Sequence, residues 1–599
     1  MIFISILTLI VAKALPSLNS KISSVGFTRI SAIIFIFSGA LTLNALYIQS
    51  IGSGIGIYSG LFHITQISQS IEFFLLVIGS LILIAWPLVS YKENKHSKTE
   101  ISNLYVLEND TLIGARKGIN TSTDYSLVVL FSTLGSCLLI SCSDLISLYL
   151  SIELQSFGLY ILATLYRDSE SSTSAGLKYF LLGGLSSCII LLGCGLIYSY
   201  TGLTNLESIY SLISVSEINY LLQGFNLGLI LIIIGFLFKI AAAPLHNWSP
   251  DVYDDTPTIV TIWLTIMPKI AILILLLELH LQIGLISTVQ NNISDITLNN
   301  ITSYININTL NKITPLNILN SDNTLYILKN LLLISSVLSL IIGSVVGLAQ
   351  TRIKRLLAYS TISHIGFMLL ALSINTEQSI NSFLFYIIQY TITNLNIFLI
   401  IIALSYLISS NSNQSQNLIE NKNDNSESLN NKILEGIKYA SFNVKGLTDI
   451  RYISELKGQF FSNPILSISL AICLFSMAGI PPLIGFFSKQ YVLNSAMQNG
   501  YYFISILAII LSIVSASYYL KIITVLHTET ETSNIISVNG DIANSDNNNN
   551  NLLENKDKTL TNFHSFLIST LTLIILLFIL KPSLILNSTL LLSLSIFTS

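Results

Sequence analysis

Two stretches of this chain, LFKIAAAPLHNW at 237–248 and FSMAGIPPLIGFFSK at 475–489, interrupt long apolar runs with proline. Each places a lysine beside the interruption, Lys239 in the first and Lys489 in the second. Proline removes a backbone hydrogen bond and breaks or kinks a helix. A charge beside a broken helix in lipid is typical of an ion pathway. These stretches therefore predict a helical membrane fold and indicate where its chemistry lies.

The composition places the chain in a lipid bilayer. Of its 599 residues, 52% are hydrophobic and 10% are charged, and the mean hydropathy is +0.71. Such values exclude a water-soluble globular protein. The net charge is -3 and the basic residues are spread over short loops, so we expect no nucleic-acid binding. The fold class we predict is an all-α polytopic membrane protein.

A helix needs about 20 apolar residues to cross a bilayer, and by this criterion the chain has about fourteen spans. The first begins MIFISILTLIVAKALP, and we interpret it as a span because no basic residue precedes Lys13, as a cleaved signal would require. The predicted spans are 1–15, 29–50, 68–90, 125–142, 144–166, 174–200, 222–247, 257–281, 325–349, 356–373, 380–408, 463–498, 501–526 and 561–581.

The distribution of Lys and Arg supports this count, because short basic loops prefer the side from which the protein is inserted. The even-numbered loops hold little beyond Lys312. The odd-numbered loops hold Lys21, Lys92, Lys95, Lys98, Arg116, Lys117, Arg167, Arg352, Lys354, Arg355, Lys432, Lys438, Arg451 and Lys457. Both termini are therefore predicted on the side opposite the basic loops, and in a mitochondrion the basic side would be the matrix.

The chain also looks duplicated. Spans four to eight and nine to thirteen form two groups of five, each with its broken helix in fourth position, and an odd number of spans makes the second group inverted. Such inverted repeats recur in transporters. The predicted divisions are a three-helix segment at 1–124, a first repeat at 125–281, a polar insertion at 282–324, a second repeat at 325–527 with a polar loop at 409–460, and a polar loop with a last helix at 528–599. The polar stretches are expected to be partly disordered.

Five ionisable residues within the spans carry the functional prediction. They are Glu153, Lys178, Lys239, Lys269 and Lys489. One charge at mid-bilayer costs about 2.5–3.5 kcal/mol on insertion scales, so each needs a partner or water. Burial favours a neutral lysine and a nearby carboxylate favours a charged one, so a lysine between these influences can switch its proton. We interpret the five residues as a proton relay that begins at Glu153 and ends at Lys489.

Structural interpretations of the same residues stay open. The long side chains of Lys178 and Lys239 can extend to a membrane interface. Glu153 and Lys269 can form a static ion pair that holds two helices together. These alternatives differ from the relay in the partners that they predict for each charge.

Histidines and aspartates near the first break are weaker candidates. His246 follows the break and His364 lies in the middle of span ten. The pKa of imidazole suits proton transfer, although a lone histidine is equally consistent with a packing role. Asp251, Asp254 and Asp255 follow span seven, and we predict that they cap the next helix.

The strings around these residues resemble a known family. They are similar to the chain 2 branch of the antiporter-like membrane subunits of NADH-ubiquinone oxidoreductase, or complex I. That family is related to subunits of cation/proton antiporters and shares fourteen helices with an inverted five-helix repeat. The strings are LYLSIELQSFGLYILATLYR at 148–167, GLKYFLLGGLSSCIILLGCGLIY at 176–198, FKIAAAPLHNWSPDVYDDTPTIVTIWLTIMPKIA at 238–271, RIKRLLAYSTISHIGFMLLAL at 352–372 and FSMAGIPPLIGFFSKQYVL at 475–493.

The resemblance implies proton translocation across the inner mitochondrial membrane, beside other membrane-arm subunits that include neighbouring antiporter-like chains. The family's helix-five carboxylate falls on Glu153 and its helix-seven lysine falls on Lys239. The helix-eight base falls on Lys269 and the helix-twelve ionisable residue on Lys489. Lys178 matches an additional helix-six lysine of this branch.

No redox chemistry is expected from this chain. It lacks a GxGxxG fingerprint, CxxC spacing and a haem-type histidine pair, and we interpret its five cysteines as apolar packing residues. NADH, FMN, iron-sulfur clusters and ubiquinone are therefore expected in partner subunits, with no cofactor or metal here. Two other functions stay open: a cation/proton antiporter subunit would depend on sodium, and a membrane scaffold would tolerate neutral residues at both Glu153 and Lys239.

Overall fold

The structure, a computed structural model, describes residues 1–15, 24–48, 54–84, 124–166, 169–215, 219–302, 318–420, 449–528 and 562–598. Nearly all the regular structure within these ranges is helical. One antiparallel hairpin, β1 (Ile55–Ile57) and β2 (Phe62–Ile64), pairs Gly56 with His63.

The helices connect in chain order, and two of them come in two parts because of the breaks described below. They are α1 (Ile2–Ala14), α2 (Ser24–Ile48), α3 (Gln66–Ile84), α4 (Asp124–Ile140), α5 (Leu145–Ala163), α6 (Glu170–Thr201), α7 (Leu206–Val215), α8 (Asn219–Ile240), α9 (Trp248–Asp255), α10 (Thr258–Thr302), α11 (Ile318–Leu348), α12 (Ile353–Ile374), α13 (Glu377–Glu420), α14 (Gln459–Ser462), α15 (Pro464–Ala478), α16 (Ile484–Gln498), α17 (Tyr502–His527), α18 (Asn562–Leu577) and α19 (Ser583–Thr598).

The predicted class, an all-α polytopic membrane protein, is confirmed. Within the described ranges, 11 helices are long and apolar enough to cross a bilayer, and α1, α4, α15 and α19 are shorter apolar helices. Every predicted span coincides with a helix or with a broken pair of helices. The total of fourteen spans and the inverted repeat stay predictions, because spans one, four and twelve coincide with helices too short to be counted by length.

Both predicted breaks are present. The first broken helix ends at Ile240 and resumes at Trp248, and the second ends at Ala478 and resumes at Ile484. A break frees backbone carbonyls, which need new donors inside a bilayer. In the first break the Trp248 indole Nε1 donates to the carbonyl of Phe238 at 2.9 Å. A carbonyl freed by the break is therefore satisfied by a side chain of α9, the helix that follows the break.

Loops that alternate along the chain contact one another in two separate groups. The predicted span order has the same consequence, because alternate loops lie on the same side of a membrane. At one face Arg352, before α12, donates to Asp254 of α9 at 2.6 Å. At the other face the backbone oxygen of Gly60, in the hairpin, accepts from Ser143 at 2.6 Å and from Asn205 at 3.3 Å. Loops seven and nine thus share one face, and loops two, four and six share the other.

Helices continue beyond several predicted span ends. Helix α10 extends to Thr302, α11 begins at Ile318, and α13 extends to Glu420. The rest of the polar stretches, where partial disorder is predicted, lies outside the described residues. So do the predicted basic-loop residues Lys21, Lys92, Lys95, Lys98, Arg116, Lys117, Arg167, Lys432 and Lys438 and the even-loop residue Lys312.

The predicted architecture does not include helix α19. Its sequence, SLILNSTLLLSLSIFT, follows the last predicted span and was not expected to form a further apolar helix. Its 16 residues include several Ser, Thr and Asn, and about 20 apolar residues are needed to span a bilayer. The helix packs against α13 and α3, where neighbouring protein replaces part of the lipid contact that the prediction assumed.

Candidate functional site

The first cluster of buried charge joins α5 to the end of α8. Glu153 lies in the middle of α5, and Lys239 lies in the last turn of α8, directly before the break. Lys239 Nζ is 3.6 Å from Glu153 Oε1, and the two side chains are 7% and 14% exposed. Lys239 Nζ also donates to Ser156 Oγ at 3.1 Å, one turn along α5 from the carboxylate. The acid predicted within the spans therefore has a predicted lysine as its partner.

This pairing decides between two of the open interpretations. A static pair of Glu153 with Lys269 is wrong, because the carboxylate of Glu153 faces Lys239. Lys239 does not extend to a membrane interface either, since its side chain is buried against α5. Its place at the carboxyl end of α8 also suits a cation, because the exposed carbonyls there carry partial negative charge.

A small cavity of about 20 Å³ lies beside the ion pair. A cavity needs about 10–15 Å³ of such volume to hold one water molecule. Its polar lining includes Gln155, Ser156, Tyr160 and Lys239, and it is also lined by Pro268, the residue before Lys269. Among the described residues, the buried Gln155 Nε2 has no hydrogen-bond partner. Space and donors for a water molecule are thus present between the ion pair and the next lysine.

Lys269 is enclosed by neutral groups. It lies inside α10, is 2% exposed, and donates from Nζ to Thr361 Oγ1 of α12 at 3.2 Å. Its Nζ lies 5.3 Å from the ring centroid of Tyr253 in α9, a distance at which the aromatic face attracts a cation. Three helices therefore meet at this lysine, and a hydroxyl and an aromatic ring are its contacts.

His364 lies beyond Lys269, in the middle of α12. It is 3% exposed, and its Nδ1 is 2.8 Å from the Tyr386 hydroxyl while its Nε2 is 3.3 Å from the Tyr519 hydroxyl. A neutral imidazole donates from one nitrogen and accepts at the other, so either tautomer fits this pair of hydroxyls. On α12, the Lys269 contact Thr361 lies one turn before His364, and the Lys489 contact Phe367 lies one turn after it. The histidine therefore occupies the interval between two buried lysines.

Lys489 is held by backbone atoms at the second break. It lies in α16, is 8% exposed, and donates to the carbonyls of Met477 at 2.9 Å and Ala478 at 3.0 Å. These are the last carbonyls of α15, which the break deprives of helical donors. The Phe367 ring centroid lies 5.7 Å from Nζ. No carboxylate pairs with this lysine among the described residues.

The structure does not bring Lys178 to the buried cluster. Its Nζ lies 3.4 Å from Asp251 Oδ2, and its side chain is 52% exposed. The other oxygen of Asp251 accepts from Arg355, at the start of α12. Lys178 therefore belongs to an ionic network at the face that carries the basic loops, as the interfacial interpretation predicted.

The predicted capping by the aspartates of the 251–255 segment is wrong. Asp251 and Asp254 bind arginines at the start of α12 instead. The cap of α10 comes from Asp449, which accepts from Thr258 N at 3.1 Å and Thr258 Oγ1 at 2.9 Å. Each arginine brings a full positive charge to the carboxylate that it binds, whereas a backbone amide brings only a partial charge, and this favours the ion pairs. The hydrogen bond and charge of Asp254 raise the pKa of Arg352.

His246 lies apart from the other candidates. It is half-buried in the loop between α8 and α9, and its Nδ1 is 3.2 Å from the carbonyl of Pro244. Its ring centroid lies 6.3 Å from that of Tyr359 in α12. These contacts fit the packing interpretation of this histidine.

The described part of the chain offers no evident place for a metal ion. No group of three or more His, Cys, Asp or Glu residues comes together within it. Its five cysteines are unpaired thiols, of which Cys142, Cys194 and Cys473 are buried. The Cys473 thiol accepts from Asn396 Nδ2 at 3.1 Å.

Comparison with known proteins identifies the family. The family described as NADH:quinone oxidoreductase/Mrp antiporter, TM, matches residues 142–300, 296–423 and 437–515. NADH-ubiquinone oxidoreductase chain 2 of Rhizopus oryzae is 46% identical over 610 aligned positions that cover 100% of both chains. The chain belongs to the antiporter-like membrane subunits of respiratory complex I.

Two solved structures share the fold of this complex I subunit. A chain of respiratory complex I from Thermus thermophilus aligns with a TM-score of 0.62 and 21% identity, covering 98% of this chain and 99% of that one. A chain of the Mrp complex from a Dietzia species aligns with a TM-score of 0.63 and 16% identity, covering 98% and 95%. Because complex I and the Mrp complex share the fold, the family assignment depends on the sequence relationship.

Several residues of this complex I subunit that contact the charged groups were not predicted. They are uncharged: Tyr253, Thr361, Tyr386 and Tyr519 surround Lys269 and His364. A hydroxyl costs far less than a charge in an apolar span, so these residues do not stand out in the sequence. The amides of TITNLNIF at 391–398, which are buried in α13, are the signal that could have marked this helix as polar inside.

Proposed function

We propose that this subunit translocates protons across the inner mitochondrial membrane, with its basic loops in the matrix and both termini in the intermembrane space. The ion pair of Glu153 and Lys239, 3.6 Å apart beside a broken helix, is the observation that carries the proposal. A buried acid and base can exchange charge states with each other without leaving a net charge in the apolar interior. The pair is therefore suited to begin a relay.

The ion pair works as a switch. While the carboxylate of Glu153 stays ionised and close, it stabilises the ammonium of Lys239. When Glu153 moves away or is protonated, the ammonium loses its counter-charge, and the cost of a buried unpaired charge favours release of the proton. Ser156 accepts from Nζ in both states, because a neutral amine still carries donors.

The released proton moves along the buried axis toward Lys489. The cavity next to Lys239 provides the first step, since water there would face both the ion pair and the turn that holds Lys269. Lys269 then passes the proton through the Thr361 hydroxyl toward His364. Two tyrosine hydroxyls flank His364, so a change of tautomer carries a proton from one side of the ring to the other.

Lys178 has a place at the matrix face in this proposal. Its side chain is half exposed and pairs with Asp251, so it adds positive charge where water at that face meets the subunit. That role differs from direct contact with Glu153, and its support is the exposure of the side chain.

Redox chemistry belongs to partner subunits in this proposal, which assigns NADH, FMN, iron-sulfur clusters and ubiquinone to them. Neighbouring membrane-arm subunits, including other antiporter-like chains, would transmit the energy as a shift of the ion pair. A coupling of this kind requires that the Glu153 and Lys239 side chains have two arrangements, and that the neighbouring subunits change the equilibrium between them.

The test uses complex I assembled with variant subunits and reconstituted in sealed vesicles. Protons translocated per NADH oxidised are measured for Glu153→Gln and for Lys239→Met. The matched controls are Glu207→Gln and Lys521→Met, which change an exposed acid and an exposed lysine. We expect both buried variants to lose most of the proton translocation and both controls to keep it. An unchanged ratio in both buried variants would refute the relay.

A cation/proton antiporter is the second candidate, because the fold is also that of a Mrp complex chain. In that case the native assembly would carry no flavin, and an imposed sodium gradient would drive proton movement without NADH. In the function we propose, the isolated assembly that contains this chain carries flavin and oxidises NADH with a quinone acceptor. Sodium then has no effect on proton movement.

A further inference from the structure

Asp449 joins the starts of two helices with one carboxylate. Its Oδ1 accepts from Thr258 Oγ1 at 2.9 Å and its Oδ2 accepts from Thr258 N at 3.1 Å, at the first residue of α10. The same Oδ2 accepts from Lys354 Nζ at 2.7 Å, in the first turn of α12. The cap of α10 is therefore also the partner of a charge on α12.

Lys354 strengthens this junction from the side of α12. Its side chain is 3% exposed, and that of Asp449 is 18% exposed. Lys354 Nζ also donates to the carbonyl of Thr256 at 2.8 Å, in the turn that precedes α10. A buried ammonium that lost its carboxylate would be left as an uncompensated charge, which is strongly unfavourable. The ion pair therefore holds the start of α12 against the start of α10.

The segment that carries Asp449 is itself attached to α12. The Ile353 N–H donates to the carbonyl of Arg451 at 3.0 Å. The Ile453 N–H donates to the carbonyl of Thr351 at 3.1 Å. Asp449 lies two residues before this backbone pairing. Its carboxylate therefore reaches α10 from a segment whose backbone is fixed to the start of α12.

The two helices that Asp449 joins meet again at Lys269. Lys269 Nζ of α10 donates to Thr361 Oγ1 of α12 at 3.2 Å. Lys269 follows Thr258 by eleven residues, about three turns, so both lie on one side of α10. Thr361 follows Lys354 by seven residues, about two turns, so both lie on one side of α12. The Asp449 junction and the Lys269 contact therefore connect the same sides of the same two helices.

The stretch of α10 between these two contacts is weakened by a proline. Pro268 lies inside the helix, directly before Lys269, and has no N–H to donate to the carbonyl four residues earlier. A proline in this position permits a bend in the helix. The direction in which Lys269 leaves α10 therefore depends on how the first part of the helix is held, and this part begins at Thr258.

We propose that Asp449 is a positioning residue for Lys269. By binding Thr258 and Lys354 with one carboxylate, it fixes the depth and the rotation at which α10 and α12 meet. It thereby keeps Lys269 Nζ within hydrogen-bond distance of Thr361 Oγ1. This inference rests on the proposed function, in which Lys269 passes its proton toward α12. A hydrogen bond weakens steeply as its geometry is lost, so a small shift between the helices is sufficient to break this one.

The first test separates the cap of α10 from the junction between the helices. Asp449→Asn keeps an oxygen that can accept from Thr258, and asparagine caps helices as well as aspartate does. It removes the negative charge that Lys354 needs. Asp449→Glu keeps the charge and both acceptors on a side chain one methylene longer. Complex I carrying each variant is reconstituted in sealed vesicles, and the rate of proton translocation at saturating NADH is divided by the flavin content, so that lower assembly does not enter the comparison.

We expect Asp449→Asn to lower this rate about tenfold, and Asp449→Glu to keep it within about twofold of the unmodified chain. The matched control is Asp254→Asn, which removes the ion pair between α9 and Arg352, directly before α12. This control should keep the rate. Equal losses in Asp449→Asn and Asp254→Asn, or no loss in Asp449→Asn, would overturn the positioning role.

The second test asks whether Asp449 acts through the Lys269 contact. Thr361→Val removes the hydroxyl that accepts from Lys269 and keeps the shape of the side chain. Distant, independent sites have additive free-energy effects, so their fold-losses multiply. If Asp449 acts by placing Lys269, the double variant Asp449→Asn with Thr361→Val loses about tenfold, as each single variant does, and not about a hundredfold. Losses that multiply would show that Asp449 acts independently of this contact, and would overturn the proposal.

A milder pair of variants keeps the proposal testable if Asp449→Asn does not assemble. Thr258→Val removes one hydrogen bond to Asp449, and Thr261→Val is the matched control on α10. Both threonines are buried, but the Thr261 hydroxyl donates within its own helix, to the carbonyl of Thr258 at 2.7 Å. We expect Thr258→Val to lower the rate about two- to fivefold, with no further loss when it is combined with Thr361→Val, and the control to keep the rate. Equal rates in Thr258→Val and Thr261→Val would contradict the proposal.

Failure of the positioning role and failure of the relay give different results. If Glu153→Gln and Lys239→Met keep full proton translocation, the proposed function itself is wrong. If these two variants lose translocation while Asp449→Asn keeps it, or loses it independently of Thr361, the relay stands and Asp449 only holds the fold together.

Discussion

Lys239 and Lys489 both lie beside a broken helix, but opposite kinds of group hold them. A carboxylate and a hydroxyl hold Lys239. Two backbone carbonyls hold Lys489. A carboxylate can gain a proton or move away, whereas the carbonyls at a helix end keep their partial negative charge. The difference teaches that the first lysine has a partner which can change its state, and that the second has partners which cannot.

The two breaks also differ in how their free carbonyls are satisfied. In the first break the indole of Trp248 binds the carbonyl of Phe238, and Lys239 takes no part in closing the helix end. In the second break Lys489 itself binds the carbonyls of Met477 and Ala478. Lys239 can therefore change its charge without disturbing backbone structure, whereas Lys489 combines a structural role with a chemical one.

Charge reversal at the ion pair has the largest expected effect. Glu153→Lys places two ammonium groups in a buried site, and breaking a buried pair in this way costs about 3–5 kcal/mol or more. We expect complex I carrying this variant to be almost absent from native gels. The double variant Glu153→Lys with Lys239→Glu restores an opposite pair, so assembled complex should return. Failure of the double variant to recover assembly would show that the contact is not an ion pair in the assembled enzyme.

Removal of the second lysine comes next. Lys489→Met leaves two buried carbonyls without donors, at about 1–3 kcal/mol for each unsatisfied group. We therefore expect loss of proton translocation together with a lower thermal midpoint of the isolated complex. Lys239→Met should lose translocation with a smaller change in thermal midpoint, because its helix end is closed by Trp248. Equal thermal midpoints for the two variants would contradict the structural half of the comparison, and Lys521→Met is the exposed control.

A smaller effect is expected at the hydroxyl beside the ion pair. Ser156→Ala removes one hydrogen bond to Lys239, and such a bond contributes about 0.5–1.5 kcal/mol. The rate of proton translocation at saturating NADH should fall about two- to tenfold, because 1.4 kcal/mol corresponds to a factor of ten. Ser151→Ala is the matched control, since its hydroxyl binds only carbonyls of its own helix. A similar loss in both variants would assign the effect to helix packing.

Charges at the face with the basic loops should matter least. Burial and the nearby charge of Asp254 raise the pKa of Asp255. A raised pKa in the folded state means that the ionised carboxylate destabilises the fold, and this penalty disappears as the pH falls through the folded pKa toward the unfolded value of about 3.9. Asp255→Asn should therefore raise the thermal midpoint slightly near neutral pH and lose this advantage in acidic buffer. An advantage that grows on acidification would reverse the sign of this argument.

The sequence predicted the buried charges better than it predicted their partners. Glu153, Lys239, Lys269 and Lys489 stand out because a charge inside an apolar span is costly and visible. Which acid meets which base is a matter of helix packing, and the helices around this site are hydrophobic on all sides. Their periodicity therefore does not show which face meets a neighbour. For this reason the pairing of Lys178 with Asp251, 73 residues away, was not predicted.

For the architecture, too, the main features were predicted better than the contacts that hold them in place. Proline beside a lysine marked both breaks, and these are present at Ile240 and Ala478. The carbonyls that bind Lys489 were not predicted, since a backbone group carries no sequence signal. Helix α19 escaped prediction because hydropathy measures a segment's preference for lipid, and this short helix is partly covered by protein.

The enclosure of α10 has a consequence for how the protein is made. Its stretch Thr258–Leu281 is apolar enough to enter a bilayer unaided, yet in the finished fold protein surrounds it on every side. Lys269 is synthesised 92 residues before its contact Thr361 of α12. His364 and Lys489 follow later, and Tyr519 of α17 is later still. The contacts of these buried side chains are therefore complete only when the last large helices have been synthesised.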